Sequence, residues 1–338
     1  MAFARGNSYI PKVMIVGLVS AYDHFLSRLL STMFSVKSEI IFTSDKKISF
    51  SDLKLYKSID EARDAIINKE VEAIIRESHH EQFKIIENRL QLELRKDLNV
   101  WPDFVELCER RNLFSHTGGV VSAQYLSVCR AHGCKIESVA EGDLLHAKPQ
   151  YFENAVRTVF EVGAKLAYVI WRKTDREKSD QADYDLNELC FTLIMKKQYK
   201  LATSILKFCS YVTKKSGSDN LHKMITVNLA NALRLDGHKE ASHDILKKED
   251  WTATNDKFQS CVASILGDTE RVISVMKQPG GSEIVSAEEY RTWPVFRITR
   301  DDTKFKAAFK EVFGEDISFD LGVDGESKIN TELAQRST

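Results

Sequence analysis

Proline and glycine are scarce in this chain, which has five prolines and fifteen glycines among its 338 residues. Proline breaks helix interiors and glycine weakens them, so their scarcity leaves long helices uninterrupted. Apolar residues recur at spacings of three and four almost throughout, the periodicity of helices with one buried face. The sequence therefore predicts an all-α fold.

Neither sign of charge is in excess. Lys and Arg number 48, Asp and Glu number 49, and the net charge is −1. A domain that coats nucleic acid is normally basic, so this balance excludes that class of protein. Any contact with RNA must be local, at a site or a groove, and DNA is not expected as a partner.

Long apolar runs are also lacking. The longest, residues 13–19 and 166–171, are broken or too short compared with the roughly 18 residues of a membrane span. The first residues lack the basic segment and following apolar segment of a secretion signal. We therefore expect no membrane association and a cytoplasmic location.

Cysteine is used sparingly and without a pairing pattern. The scattered cysteines are Cys108, Cys129, Cys134, Cys190, Cys209 and Cys261. In a reducing compartment such residues serve as small buried apolar groups. The spacing of Cys129 and Cys134 loosely suits half of a zinc site, but the second ligand pair is missing. We expect neither a metal nor another cofactor.

Helix boundaries can be read at several places. Apolar residues within 13–33 form one face of a long helix, with Pro11 near its first turn, where a missing N–H does no harm. Ser58 and Glu61 have the spacing of a capping box that begins another helix.

The segment 101–103 (W-P-D) has the character of a helix start. The helix it begins should end at Gly118 and Gly119, because glycine adopts a left-handed cap without steric cost. A short helix is expected over 121–128 and a longer one over 151–171.

The second half of the chain carries a weak internal repeat after a charged link at 173–183. Residues 193–206 and 233–246 align, with tight turns at Lys197 and Gly237. Ala202 and Ala241 are matched, 39 residues apart, which is near the tetratricopeptide period of about 34 plus an insertion. The alternative is a plain helical bundle. The predicted domains are a bundle at 1–148, helical-hairpin repeats at 149–318 and a flexible tail at 319–338.

The candidate site is the segment 109–119, which reads E-R-R-N-L-F-S-H-T-G-G. Arg111 can hold a phosphate through its planar guanidinium, and His116 can exchange a proton near neutral pH. Asn112 can fix the tautomer of an imidazole or contact the phosphate. Together these three residues could cleave a phosphodiester without a metal.

Helix geometry constrains how these residues can cooperate. On a regular helix Arg111 and His116 lie about 140° apart and cannot face one phosphate. Either the helix ends or tightens at Ser115, or two copies of the chain each supply one arginine and one histidine across a two-fold axis. The second arrangement is the more productive, because it brings together one imidazole to take the 2′-hydroxyl proton and another to protonate the leaving 5′-oxygen.

The spacing of Arg111 and His116 alone is a weak signal. On the spacing alone, the preferred interpretation is an arginine in a surface ion pair and a histidine that caps a helix end. Asp23 could orient His116, but an ordinary charge on the wet face of a helix is the preferred interpretation. Arg110 is interpreted as a solvent or ion-pair residue. The histidines His79, His80, His132 and His146 are interpreted as structural or solvated, the first two within a polar link.

The wider sequence adds a family resemblance. Residues 101–126, with the core E-R-R-N-L-x-x-H, the two glycines and V-S-x-x-Y-L, resemble a bacterial group of the HEPN (higher eukaryote and prokaryote nucleotide-binding) superfamily. Residues 17–29 resemble its first helix, and the likeness covers roughly residues 8–132. Arg111, Asn112 and His116 match the motif arginine, polar position and histidine.

The resemblance implies a dimerising bundle of four or five helices with the motif at the dimer interface. Many members are metal-independent endoribonucleases of toxin, phage-defence or RNA-processing systems. We expect a homodimeric endoribonuclease with a regulatory partner on the C-terminal repeats. The alternatives are a non-catalytic dimeric adaptor, since some members with intact motifs serve only to dimerise or bind nucleotides, and, third, a nucleotide-binding or nucleotide-modifying domain.

Overall fold

The computed structural model describes residues 2–42, 50–96, 98–214 and 218–317. Contacts divide the chain into two compact units, Met1–Leu186 and Asn187–Thr338. The predicted domains, 1–148 and 149–318, were defined by likeness to known domains and stay a prediction. The predicted tail at 319–338 lies outside the described residues.

The all-α fold class is confirmed. The described residues contain helices and no strand, and their one isolated bridge pairs Val120 with Leu144 in antiparallel fashion.

Among the described residues of the first unit, eight α-helices lie wholly within it. They are α1 (Ala2–Val36), α2 (Glu39–Phe42), α3 (Phe50–Leu53), α4 (Ile59–Ile75), α5 (His79–Leu90), α6 (Trp101–His116), α7 (Ala123–Ala131) and α8 (Pro149–Thr174). Helix α1 packs against α4, α6 and α8, and α5 packs against α4 and α6. The buried residues of α1 recur every three or four positions and form one stripe in the core: Ile15, Val19, Tyr22, Leu26 and Leu30.

Helix α1 differs from expectation at its start. It begins at Ala2, so Pro11 lies inside the helix and not near its first turn. Proline has no N–H, so the backbone bond from position 11 to position 7 is missing there. The expected start rests on the apolar spacing that begins at residue 13, whereas the helical backbone extends back to Ala2.

Helix α1 is also more apolar than its uninterrupted runs indicate. Its segment Tyr9–Val36 is long and apolar enough to cross a membrane, with a mean hydropathy of 1.4 over an 18-residue window that is 28% buried. The expectation that no stretch approaches a span is therefore wrong on this averaged measure. Length and composition do not distinguish a spanning helix from a core helix, and the buried stripe of α1 belongs to the core of the first unit.

The bounds of α6 are those predicted. Pro102 stands in its first turn, where its missing N–H is harmless. After the helix, Gly118 and Gly119 adopt left-handed φ angles of 63° and 98°. At Gly119 a Cβ would lie 3.0 Å from the backbone oxygen of Leu145, so only glycine fits there without a shift of the neighbouring chain.

The charged link at 173–183 is largely helical. Helix α8 continues to Thr174, Arg176–Lys178 form a 3₁₀ turn, and α9 begins at Ser179. Arg172, just before the link, donates to the buried carboxylate of Asp183 at its end, so an ion pair connects the two ends of the segment.

The described helices that follow are α9 (Ser179–Met195), of which residues from Asn187 onward belong to the second unit, α10 (Tyr199–Thr213), α11 (Asp219–Leu235), α12 (Lys239–Leu246), α13 (Asp256–Leu266), α14 (Thr269–Lys277), α15 (Gly281–Ile284), α16 (Ala287–Thr292) and α17 (Thr303–Phe313). The phenylalanines Phe305 and Phe309 of α17 are fully buried.

Three matched turns join α9 to α10, α11 to α12 and α13 to α14. Each turn has one residue with a left-handed φ angle: 60° at Lys197, 91° at Gly237 and 83° at Gly267. The N–H of that residue donates to the carbonyl three residues before it, and the N–H of the next residue donates to the carbonyl five residues before it. This is the Schellman geometry. The predicted turns at Lys197 and Gly237 are confirmed.

The predicted match of Ala202 with Ala241 is wrong by one residue. Ala241 is exposed, whereas Ser242 is fully buried, as Ala202 is. The Ser242 hydroxyl donates to the carbonyl of Ala230 at 2.7 Å, which satisfies a polar group at a close helix contact. The likeness to tetratricopeptide hairpins stays a prediction.

Candidate active site

Helix α6 carries the motif and stays helical through His116. The N–H of Thr117 still bonds the carbonyl of Leu113 at 2.9 Å, so the helix does not end at Ser115. Arg111 and His116 are consequently about 140° apart around α6, whereas Asn112 and His116 are separated by only about 40°. Within one chain, the arginine and the histidine face different surroundings.

Arg111 is held against α1. One of its terminal nitrogens, Nη2, donates to Asp23 Oδ2 at 3.2 Å, and its side chain is 22% exposed. The Nε atom is buried without a hydrogen-bond partner among the described residues. The Nε–H of the guanidinium is therefore shielded from solvent, whereas another part of the side chain remains exposed.

The sequence favours Asp23 as a solvated charge on the surface of α1, with orientation of His116 as the alternative. In the structure Asp23 has neither role. Its other oxygen, Oδ1, bonds His79 Nε2 at 2.8 Å. His79 is the first residue of α5 and not part of a polar link, because Ser78 takes an extended conformation before the helix. Asp23 therefore joins α1, α5 and α6.

Asn112 faces Glu109, one turn before it on α6. Glu109 is buried, and the Asn112 side chain is close enough to influence its pKa. Burial raises the pKa of Glu109, an effect that nearby His80 and His79, the Asn112 side chain and the charge of Arg111 only partly offset. In the single chain the Asn112 amide therefore lies beside a carboxyl group, and the residue is partly exposed.

His116 is exposed in the last turn of α6, and its ring forms no hydrogen bond within the part of the chain that the structure describes. Its surroundings are fixed by α1, because Lys12 donates to the carbonyl of Gly118 at 2.6 Å and lies over the Phe114 ring at 5.6 Å. The end of α6 therefore lies beside the first half of α1.

That half of α1 exposes an apolar face. Tyr9, Ile10, Val13 and Met14 are 68%, 61%, 52% and 46% exposed. We call these four residues the α1 apolar face. An exposed cluster of large apolar side chains next to a candidate site is typical of a surface that another molecule covers.

A pair of histidines in the first unit was missed from the sequence. His80 lies 5.0 Å from His132 between ring centroids, and Trp101 Nε1 donates to His132 Nδ1 at 3.4 Å. Burial, then the charges of His80 and Arg95, lower the pKa of His132. No spacing in the sequence connects these residues, because each comes from a different helix or helix end.

Arg110 forms an ion pair, as predicted. Its Nε donates to Glu106 at 2.7 Å, and the same carboxylate accepts the hydroxyls of Tyr125 at 2.6 Å and Tyr151 at 2.7 Å. This network is structural: it ties α6 to α7 and α8.

All six cysteines fall within the described residues and are buried thiols. In that same part of the chain, no three His, Cys, Asp or Glu side chains come together as a group that could hold a metal ion.

Comparison of the chain with models of known families, with curated proteins and with solved structures gives no match. The resemblance of residues 101–126 to the HEPN superfamily stays a prediction.

Proposed function

We propose that this chain is a metal-independent endoribonuclease that acts as a homodimer in the cytoplasm, in a toxin or phage-defence setting. Each protomer would supply Arg111, Asn112 and His116 to a composite site on the two-fold axis. The hairpins of the second unit would receive a regulatory partner.

The observation that supports this proposal most is the state of His116. It is exposed and unbonded among the described residues, at the end of α6 that lies beside the α1 apolar face. A second copy that covered the α1 apolar face would come close to His116 and could bring its own imidazole there.

The chemistry then needs no cofactor. One imidazole takes the proton of the 2′-hydroxyl while the 2′-oxygen forms a bond to phosphorus. The bond from phosphorus to the 5′-oxygen breaks, and the second imidazole gives that oxygen a proton. Arg111 stabilises the charge on the phosphoryl oxygens, and the product carries a 2′,3′-cyclic phosphate.

The alternative is a non-catalytic dimeric adaptor, and one observation favours it. In the single chain Arg111 is bonded to Asp23, and His116 points about 140° away around α6. If the dimer left them apart, the motif would serve only to join protomers.

The test is cleavage of structured and single-stranded RNA by the full chain in EDTA. We expect cleavage with 2′,3′-cyclic ends, reduced at least about 100-fold in His116→Ala and in Arg111→Ala. The matched controls are His146→Ala and Arg130→Ala, which remove an exposed histidine and arginine elsewhere. Light scattering must show that the inactive variants are still dimeric.

Three results would contradict the ribonuclease proposal. They are wild-type protein that cleaves no RNA, cleavage that persists in His116→Ala, and loss of cleavage in the controls as well. A dimeric wild-type protein without cleavage would favour the adaptor.

A further inference from the structure

Asp23 holds two partners at once, one on each carboxylate oxygen. Oδ1 bonds His79 Nε2 at 2.8 Å, and Oδ2 accepts from Arg111 Nη2 at 3.2 Å. These partners come from α5 and α6, 56 and 88 residues away in the chain. The carboxylate cannot turn without breaking both bonds.

His79 is itself held rigidly. Its side chain is 9% exposed, its ring meets Phe104 edge to face at 5.9 Å, and the Tyr22 ring lies 6.1 Å away. An ionised carboxylate only accepts hydrogen bonds, so the Nε2 that bonds Asp23 carries a hydrogen in either protonation state of the ring. His79 is therefore a fixed donor that sets the orientation of Asp23.

Asp23 in turn holds the guanidinium of Arg111 in one orientation. Its Nε is buried without a partner among the described residues, and one Nη2 hydrogen is used on Asp23. A guanidinium has five N–H donors, so donors remain for a phosphate. An arginine already fixed in place loses less freedom when it binds, and its planar fork keeps a defined direction.

A carboxylate beside an arginine could have the opposite role. As a brake, Asp23 would compete with phosphate for Arg111, and its neutralisation would tighten RNA binding. The geometry favours positioning, because Asp23 takes a single hydrogen of Arg111 and its own direction is set by the buried His79.

We propose that Asp23, held by His79, is a positioning residue that fixes the Arg111 guanidinium toward the phosphate to be cleaved. The proposal rests on the proposed ribonuclease function. Neither Asp23 nor His79 contacts the RNA; both act through Arg111.

The first measurement compares cleavage and binding in the full chain. We expect Asp23→Asn and His79→Ala to slow cleavage at saturating RNA by at least about tenfold, because small misplacements of a catalytic group are costly. Binding of an uncleavable 2′-O-methyl RNA should change by less than about threefold. His79→Gln should restore most of the rate, since its amide keeps an N–H for Asp23. Asp64→Asn, at an exposed position on α4, is the matched control.

The second measurement does not depend on cleavage. In chain labelled with ¹⁵N-arginine, the Arg111 Nε–H signal is identified by its loss in Arg111→Lys. We expect a single sharp, slowly exchanging signal in the wild type and in His79→Gln, and a shifted or rapidly exchanging one in Asp23→Asn and His79→Ala. Thermal unfolding shows whether each variant is folded.

The outcomes separate the two proposals. An Arg111 signal unchanged in Asp23→Asn overturns the positioning role, whether or not RNA is cleaved. Tighter binding of the uncleavable RNA by Asp23→Asn without slower cleavage also overturns it, in favour of a brake. If the signal depends on Asp23 and His79 but the wild type cleaves no RNA, the fixing of Arg111 stands and the proposed function fails.

Discussion

Two neighbouring arginines of α6 have different roles because different groups face them. Arg110 is 15% exposed and bonds Glu106, the backbone carbonyl of His146 and the face of Tyr151, so its donors are used within the fold. Burial alone would lower the pKa of Arg110, but Glu106 and Tyr151 raise it on balance. Arg111 bonds one carboxylate oxygen and keeps donors to spare. Of the two, Arg111 is therefore the one suited to an external anion.

Removing the negative charge of Glu106 should strongly destabilise the folded protein. In Glu106→Gln, the amide nitrogen would replace either Oε1, which accepts from Arg110 and Tyr125, or Oε2, which accepts from Tyr151, and would face donors there. We expect the free energy of unfolding to fall by about 3 kcal/mol, as when a buried pair loses one partner. Urea denaturation measures it. Glu137→Gln, at an exposed position, should change it by less than about 0.5 kcal/mol, and an equal effect in both would refute the network's role.

The buried carboxyl of Glu109 should give stability a pH dependence of defined sign. Burial raises its pKa above the ordinary 4.5, so the folded protein binds this proton more tightly than the unfolded chain does. The resulting stabilisation is present below pH 4.5 and is lost as the pH rises through the folded-state pKa. The Glu109→Gln variant has no carboxyl group to ionise at this position, so it does not lose this stabilisation as the pH rises. Its melting temperature relative to wild type should therefore rise between pH 4.5 and pH 7.5.

Groups that titrate in both proteins without interacting with Glu109 cancel in this comparison. Glu137→Gln should show a difference that does not vary with pH. A difference for Glu109→Gln that falls with pH would mean that Asn112, His79 and His80 outweigh burial, and the sign would be wrong.

At the scale of elements, the two glycines after α6 allow a matched comparison. Both have left-handed φ angles, but a Cβ at Gly118 meets nothing within 4 Å, whereas one at Gly119 meets Leu145 O at 3.0 Å and the Phe114 ring at 3.1 Å. Gly118→Ala should cost about 1 kcal/mol from the backbone alone, and Gly119→Ala about 1–2 kcal/mol more. Chemical denaturation measures both. Equal losses would mean that the loop after α6 moves aside at no cost.

The sequence predicted elements well where the signal is local. The start of α6, the Ser58 cap of α4 and the turns at Lys197 and Gly237 depend on residues within a few positions of each other. The Ser58 box is half formed, because Glu61 bonds the N–H of Lys57 and not that of Ser58. The errors at Pro11 and Ala241 came from treating apolar spacing as a sufficient guide to where a helix begins or which small residue is buried.

The surroundings of the site could not be predicted in the same way. Arg111, Asn112 and His116 were found because they share one helix, but the partner of Arg111 is 88 residues away and that of Asp23 on α5 is 56 away. Such contacts are decided by how α1, α5 and α6 pack, which periodicity does not specify. A histidine pair after Ser78 is also typical of a solvated helix start, so His79 gave no local sign of burial.

At the scale of the whole molecule, the two faces of α1 differ in their exposure to solvent. One face lies in the core through Ile15, Val19 and Tyr22, and the other carries the exposed α1 apolar face beside the end of α6. Exposed apolar area of this kind costs free energy in water, and burying it against an identical face would recover it. Dimerisation through α1 would therefore stabilise the fold and complete the proposed site in one step.

Charge placed on the α1 apolar face should separate the protomers. Val13→Glu puts a carboxylate among Ile10 and Met14, where burial in an interface without a partner is costly. Light scattering should change from twice the mass of the 38.5 kDa chain to that mass alone, and RNA cleavage should be lost with it. Val36→Glu changes an equally exposed valine on the same helix, about 35 Å away along its axis, and should leave both unchanged. A wild-type monomer, or a Val13→Glu dimer that still cleaves RNA, would mean that the two histidines do not meet through α1 and that the composite site must be sought on another face.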